Sequence, residues 1–166
     1  MIDLNTYISE NSQDSFARAV FESDFFKNED DYAKKFSFKD FERNIKSIAK
    51  KAGRKIVYGA LLLYYALLAM KDKEGNWQNV SWKIKAALGY VLFPFDFVPD
   101  AVGPLGWVDD LVIIILVINW VETNYKEWFT PDVKEKARDK FESMFGTGDF
   151  DDSVDNWKKD LEDFMK

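Results

Sequence analysis

The chain has 166 residues, 47% hydrophobic and 17% aromatic, which suits one domain with a buried core. Its net charge of −6 argues against a dedicated nucleic-acid binder. With no cysteine and no histidine, it excludes thiol nucleophiles, disulfides, histidine acid–base catalysis and the usual zinc, copper and non-haem iron sites, leaving Mg²⁺, Ca²⁺ or Mn²⁺ for any metal held by side chains.

The charge is segregated along the chain. Residues 1–33 carry eight acids and two bases, 34–55 carry nine bases and two acids, and 86–123 carry five acids and no base. The opening MIDLNTYISENSQD has no basic n-region and no apolar h-region, so the expected location is cytoplasmic. QDSFARAVFESDFF, 13–26, is expected to be helical, with Phe16, Ala19, Val20 and Phe26 near one face. At FSFKDFERNIKSIAKKA the start signal is Ser37 as a cap, with Asp40 at the capping-box position and Phe36 able to staple onto Phe41. Phe38, Phe41, Ile45, Ile48 and Ala52 then form an apolar stripe, and Lys39, Arg43, Lys46, Lys50 and Lys51 cover much of the rest.

Gly53 marks a break. IVYGALLLYYALLAM, 56–70, is apolar on every side, as a central buried helix or a membrane-embedded one would be. KDKEGNW is a turn. VSWKIKAALGYVLF, 80–93, reads as a helix ended by Pro94, because a proline pushes the preceding Phe93 out of helical geometry. WVDDLVIIILVINWVE, 107–122, is rich in β-branched residues, yet its length, its initial acids and its helical neighbours make it a helix. Pro131 can sit in the first turn of a helix reaching Phe145. GTGDFDD is a loop, and Val154, Trp157, Leu161 and Phe164 or Met165 line a short terminal helix.

A membrane-spanning helix needs about 20 predominantly apolar residues. The 56–70 run supplies fifteen between basic flanks, and Leu111–Ile118 supplies eight. The expectation is a soluble bundle with apolar inner helices. The basic amphipathic 38–55 segment adds a composition associated with anionic membrane surfaces, although a charged face is most often just solvated.

The connection FPFDFVPDAVGPLGWVDD, 93–110, sets Asp96, Asp100, Asp109 and Asp110 among prolines and glycines. The pattern Pro94-x-Asp96-x-x-Pro99-Asp100, then Gly106-x-x-Asp109-Asp110, with Tyr90 four residues before Pro94, resembles the YkvA-like family, also called the DUF1232 domain. The likeness is specific over 86–122 and looser back to 56, and Phe93 departs from the small or polar residue the family often has there. It implies a compact hydrophobic helical unit, sometimes membrane-associated. It implies no activity, because the family's biochemical function is unknown.

The four carboxylates have three readings. As structure, Asp96 can bond the N–H of Val98, Pro99 leaves no orphan donor, and Asp109 and Asp110 fall in a first helical turn, where the macrodipole favours anions by about 0.3–1 kcal/mol each. No base lies between Lys85 and Lys126, so a counterion from 39–55 is expected, with Arg43 or Arg54 suited to bidentate pairing. The second reading is a divalent cation, Mg²⁺ or Ca²⁺, on two or more of the four aspartates. The third is a catalytic acid–base pair, for which nothing in the sequence identifies a substrate. The run 149–160 imitates an EF-hand loop but has Val154 where the glycine belongs and Asp160 where the last glutamate belongs, so it reads as a loop and cap.

These readings combine into an all-α, single-domain bundle of about six or seven helices with a very apolar central set. Acidic then basic N-terminal helices fill 1–55, the DUF1232-like core fills 56–122, and C-terminal helices fill 123–166. The expected role is a non-enzymatic interaction module, with an unknown protein or an anionic membrane surface as partner, in the cytoplasm or peripheral to a membrane. Lys39, Arg43, Lys46, Lys50, Lys51 and Arg54 are the candidate contacts. Tyr90, Pro94, Pro99 and Gly106 shape the motif backbone. No cofactor is expected, and the alternative is a protein or enzyme that uses Mg²⁺ or Ca²⁺ at the aspartates.

Overall fold

The computed structural model describes residues 2–51, 53–71, 78–92, 110–146, 148, 150, 151 and 153–164, and every regular element among them is helical. There are ten α-helices among the described residues rather than six or seven, because residues 4–35 alone supply four. Helix α1 (Leu4–Asn11) starts where the Asp3 carboxylate accepts the Thr6 N–H at 2.7 Å. Helix α2 (Asp14–Phe21) buries Phe16, Ala17 and Val20 and stops short of the expected end at 26. The reason is local competition for backbone groups. Ser23 is buried and its hydroxyl donates to the Val20 carbonyl at 2.5 Å, closing one helix where α3 (Asp24–Lys27) opens. Asn28 bonds the Asp24 carboxylate at 2.8 Å and introduces α4 (Glu29–Lys35). Ala19 and Phe26 consequently sit only partly buried, on separate elements.

Helix α5 (Phe38–Lys51) begins as its sequence specifies. Ser37 Oγ accepts the Asp40 N–H at 3.0 Å, and the Phe36 and Phe41 rings lie 6.5 Å apart. Three apolar helices follow: α6 (Arg54–Lys71), α7 (Gln78–Leu92) and α8 (Asp110–Asn124). They pack pairwise on one another, and α8 is buried without interruption from Val112 to Val121. The β-branched run is therefore helical, since encirclement by helices leaves no strand partner for its backbone. No helix among the described residues is long and apolar enough to cross a membrane.

A 3₁₀ turn (Lys126–Trp128) leads to α9 (Pro131–Phe145), where Thr130 Oγ1 accepts the Val133 N–H at 3.1 Å and Pro131 stands in the first turn. Helix α9 lies along α6, and α10 (Trp157–Phe164) lies on α8. Asn119, nearly fully buried, joins α8 to α10: its Nδ2 donates to the carbonyls of Ile115 and Trp157, both at 2.9 Å. At the other end of the chain, the Trp120 indole N–H donates to the Ile2 carbonyl at 2.9 Å. The buried side chains from Leu4 to Leu161 fall in one hydrophobic cluster.

Candidate functional site

The aspartate connection begins after Leu92 and ends at Asp110, the first residue of α8. Asp110 is helical, and the residues just before it lie outside those described. Asp96, Asp100 and Asp109, together with Pro94, Pro99 and Gly106 and the side chain of Asp110, lie outside the described residues. The expected pairing of these acids with Arg43 or Arg54 therefore also falls on residues outside those described. Tyr90 is the one motif residue whose side chain is described. It is buried, with its ring 5.5 Å from that of Phe25 and 5.0 Å from that of Tyr32, in edge-on packing that ties α7 to α3 and α4.

Next to Tyr90, Gly89 lets the α4 backbone approach, for a Cβ there would collide with the Tyr32 carbonyl oxygen. Two polar contacts fix the same helix pair. Lys83 pairs with Glu29, and the Trp82 indole N–H donates to Asp30 at 2.8 Å. Glu29 and Asp30, two of the three acids in the first turn of α4, are thus engaged by α7 instead of by the basic segment.

The basic residues of α5 occupy a defined surface. Lys39, Arg43, Lys46 and Lys50 are spaced four, three and four apart, which at 3.6 residues per turn places them within about 60° of one another. All four are exposed. The neighbouring acids have partners of their own: the Asp40 carboxylate lies 3.8 Å from the Arg43 guanidinium, and Glu42 accepts the Tyr64 hydroxyl at 2.8 Å. Tyr64 in turn stacks on Phe41 with ring centroids 4.2 Å apart, and burial, helped by the Glu42 contact, raises its phenol well above the ordinary tyrosine range. The opposite side of α5 is committed to the core through Phe41 and Ile45, each 1% exposed. The charged face can touch a surface, but α5 has no free apolar face to insert into one. Arg54 is exposed at the start of α6, and the Lys51 side chain lies outside the described residues.

Lys55, the last base of the 34–55 block, is engaged elsewhere. It pairs with Asp160 of α10, across 105 positions of sequence, with both side chains only about a fifth exposed (22% and 20%). In the preceding loop, hydrogen bonds from Ser153 hold the Asp151 carboxyl below its usual range, and Arg54 and Lys55 add to that effect. Asp151 Oδ1 accepts the Ser153 N–H at 2.9 Å, which is the loop geometry expected of the run that imitates an EF-hand. Sequence reasoning missed the Lys55 pair, because charge complementarity does not single out the C-terminal acids among the acidic blocks. Among the described residues no group of three or more acids is placed to hold a metal ion, and the motif aspartates are not among those side chains.

Residues 81–116 match the model of a family described as "Protein of unknown function (DUF1232)". The chain carries a DUF1232 segment. No curated protein and no solved structure matches the chain. The DUF1232 segment takes in α7 from Ser81, the aspartate connection and α8 as far as Leu116, starting earlier and ending earlier than the 86–122 likeness read from the motif. Elements outside it act as its cover: α4 lies on α7, and α1 and α10 lie on α8. The cationic stripe on α5 lies outside the DUF1232 segment.

Proposed function

We propose that this chain is a non-enzymatic helical interaction module, folded as one unit, that docks reversibly on an anionic membrane surface. The observation that carries the reading is the line of Lys39, Arg43, Lys46 and Lys50 along the exposed side of α5, where Glu42 is engaged by the Tyr64 hydroxyl and Asp40 lies within the line, 3.8 Å from Arg43. Each basic side chain near an anionic leaflet contributes about 1 kcal/mol, so four supply about 4 kcal/mol, which corresponds to an affinity of about 1 mM. Contact of that strength is transient and is screened over about 8 Å at physiological ionic strength. Because Phe41 and Ile45 face the core, the contact is electrostatic, without insertion of α5. A cytoplasmic, peripheral placement suits this chemistry, since the cytoplasmic leaflet carries the anionic lipids.

Co-sedimentation with vesicles tests it. The protein is expected to bind phosphatidylcholine vesicles doped with phosphatidylserine at low salt, to ignore pure phosphatidylcholine, and to release as salt rises. Replacing Lys39, Arg43, Lys46 and Lys50 together by glutamine is expected to abolish binding without loss of helicity. Equal behaviour of this variant and the parent chain would remove the stripe from consideration, and capture of a protein with no affinity for vesicles would move the reading to a protein partner.

A further inference from the structure

The C-terminal segment places negative charge against the end of the basic run. Residues 146–166 carry seven acids and three bases. Asp160 engages Lys55 in a pair shielded from solvent, and the loop before α10 borders Arg54 and Lys55. Lys55 is thereby withdrawn into a shielded pair, while Lys39, Arg43, Lys46 and Lys50 remain exposed, Arg43 beside Asp40. We propose that the segment 150–164 is an internal competitor for the cationic end of the surface contact: its carboxylates stand in for anionic headgroups, and it yields Lys55 when a bilayer supplies them. This inference rests on the anionic-surface reading and names its regulation.

The geometry suits a segment that docks as a unit. Helix α10 has eight residues, too few to be stable alone in water, so its helical form depends on its contacts. Several of those contacts are aromatic or polar, and Leu161 is buried beside them. The Trp157 ring lies parallel to Tyr58, centroids 6.1 Å apart, and the Trp157 carbonyl accepts the Asn119 amide. Phe150 meets Tyr58 edge-on at 4.8 Å, with the Arg138 guanidinium 4.4 Å from the Phe150 ring centroid. Asp160 lies one turn beyond Trp157, so the ion pair is the polar end of an otherwise apolar latch. Exchange of Asp160 for a headgroup phosphate replaces one anion by another at Lys55, and the charge balance at that ammonium is kept.

The test compares Asp160→Asn with Glu162→Gln on vesicles of phosphatidylcholine doped with phosphatidylserine. Both variants remove one negative charge from α10, but Glu162 is exposed and has no partner among the described residues. Asp160→Asn is expected to bind about fivefold more tightly than the parent chain, the contribution of one cation at an anionic surface. Glu162→Gln is expected to gain clearly less, and Lys55→Gln is expected to cancel the Asp160→Asn gain. Equal gains for the two acid variants would reduce the effect to net charge and overturn the competitor. Parent binding with no gain in Asp160→Asn would also overturn it while leaving the stripe intact. If none of the chains binds at low salt, the surface reading itself fails and the competitor with it. Should Asp160→Asn not fold, hydrogen exchange on the parent chain decides: α10 amides are expected to lose protection on anionic vesicles while α9 amides keep theirs, and unchanged α10 protection on bound protein would overturn the inference.

Discussion

Replacing Gly89 with alanine adds one methyl group where α4 lies against α7. An ideal Cβ there meets the Tyr32 carbonyl oxygen in collision and stands 2.8 Å from the carbonyl carbon and 3.4 Å from the Cα of the same residue. The obstacle is backbone, so no rotamer change relieves it and α4 must shift as a body. Helix propensity alone would favour alanine by about 1 kcal/mol. Against that, overpacking a close-fitted contact costs about 1–3 kcal/mol, and a moved α4 also loosens Tyr32 against Tyr90, Glu29 on Lys83 and Asp30 on Trp82. Taking the upper end for a backbone obstacle, the net expectation is a loss of about 2 kcal/mol, or about 4–8 °C in Tm. Gly53→Ala is the matched control. Nothing lies within 4 Å of a Cβ built there, so it is expected to be neutral or slightly stabilising. Thermal melts followed by circular dichroism would compare the two variants with the parent chain. A Gly89→Ala protein that melts at or above the parent would refute the packing of α4 on α7.

Asn119→Ala removes the amide that donates to the Ile115 carbonyl within α8 and to the Trp157 carbonyl of α10, and is expected to cost about 1–3 kcal/mol in urea denaturation, with lost amide protection in α10. Asp3→Ala removes the α1 cap and is expected to cost about 1 kcal/mol, with Asp3→Asn largely restoring it. The same cap lowers the Asp3 carboxyl below its ordinary value, so its contribution is present above the unfolded-state pKa and is lost as pH falls through the folded one, which an acid titration of the wild type against Asp3→Asn would register. Tyr58 is pushed up to about 12 by burial and the nearby Asp155, with Arg138 opposing. Its raised value means stability that is complete below about pH 10 and declines as pH climbs toward 12, so phenolate absorbance and unfolding are expected to rise together, an effect that Tyr58→Phe should weaken.

Helices α5 to α9 were legible because each carries a long periodic or continuous apolar run or a marked start: Ser37 before α5, Pro131 in the first turn of α9, and runs on α6 and α8 too long and too apolar for anything but the centre. Of the N-terminal helices, α2 was legible within the expected 13–26 helix, with Phe16 and Val20 buried, but its end and the helices around it were not. Helices of four to eight residues hold too few apolar positions to show a period, and their ends are set by Ser23, Asp24 and Asn28 bonding nearby backbone and side chains. The cationic stripe of α5 could be read directly from its spacing. The partner of Lys55 could not, because three acidic blocks offered themselves and charge alone does not choose among them. Aromatic packing of Trp157 on Tyr58 makes that choice, and it delivers Asp160 to Lys55. The aspartate motif gave the family from its spacing, with its side-chain geometry on residues outside those described.

The closure of α8 from both ends of the chain has a consequence in time. Its apolar surface is covered by α1, made before it, and by α10, made after it, and the Trp120 bond to Ile2 spans 118 positions. On a ribosome adding about 5–20 residues per second, α10 emerges about 2–8 s after α8. For that interval a helix buried on every side in the finished protein has one flank uncovered, and contacts so distant in sequence form slowly. The nascent chain is then at its stickiest, and a chaperone or a bilayer that meets it in those seconds meets a hydrophobic surface the folded molecule no longer shows.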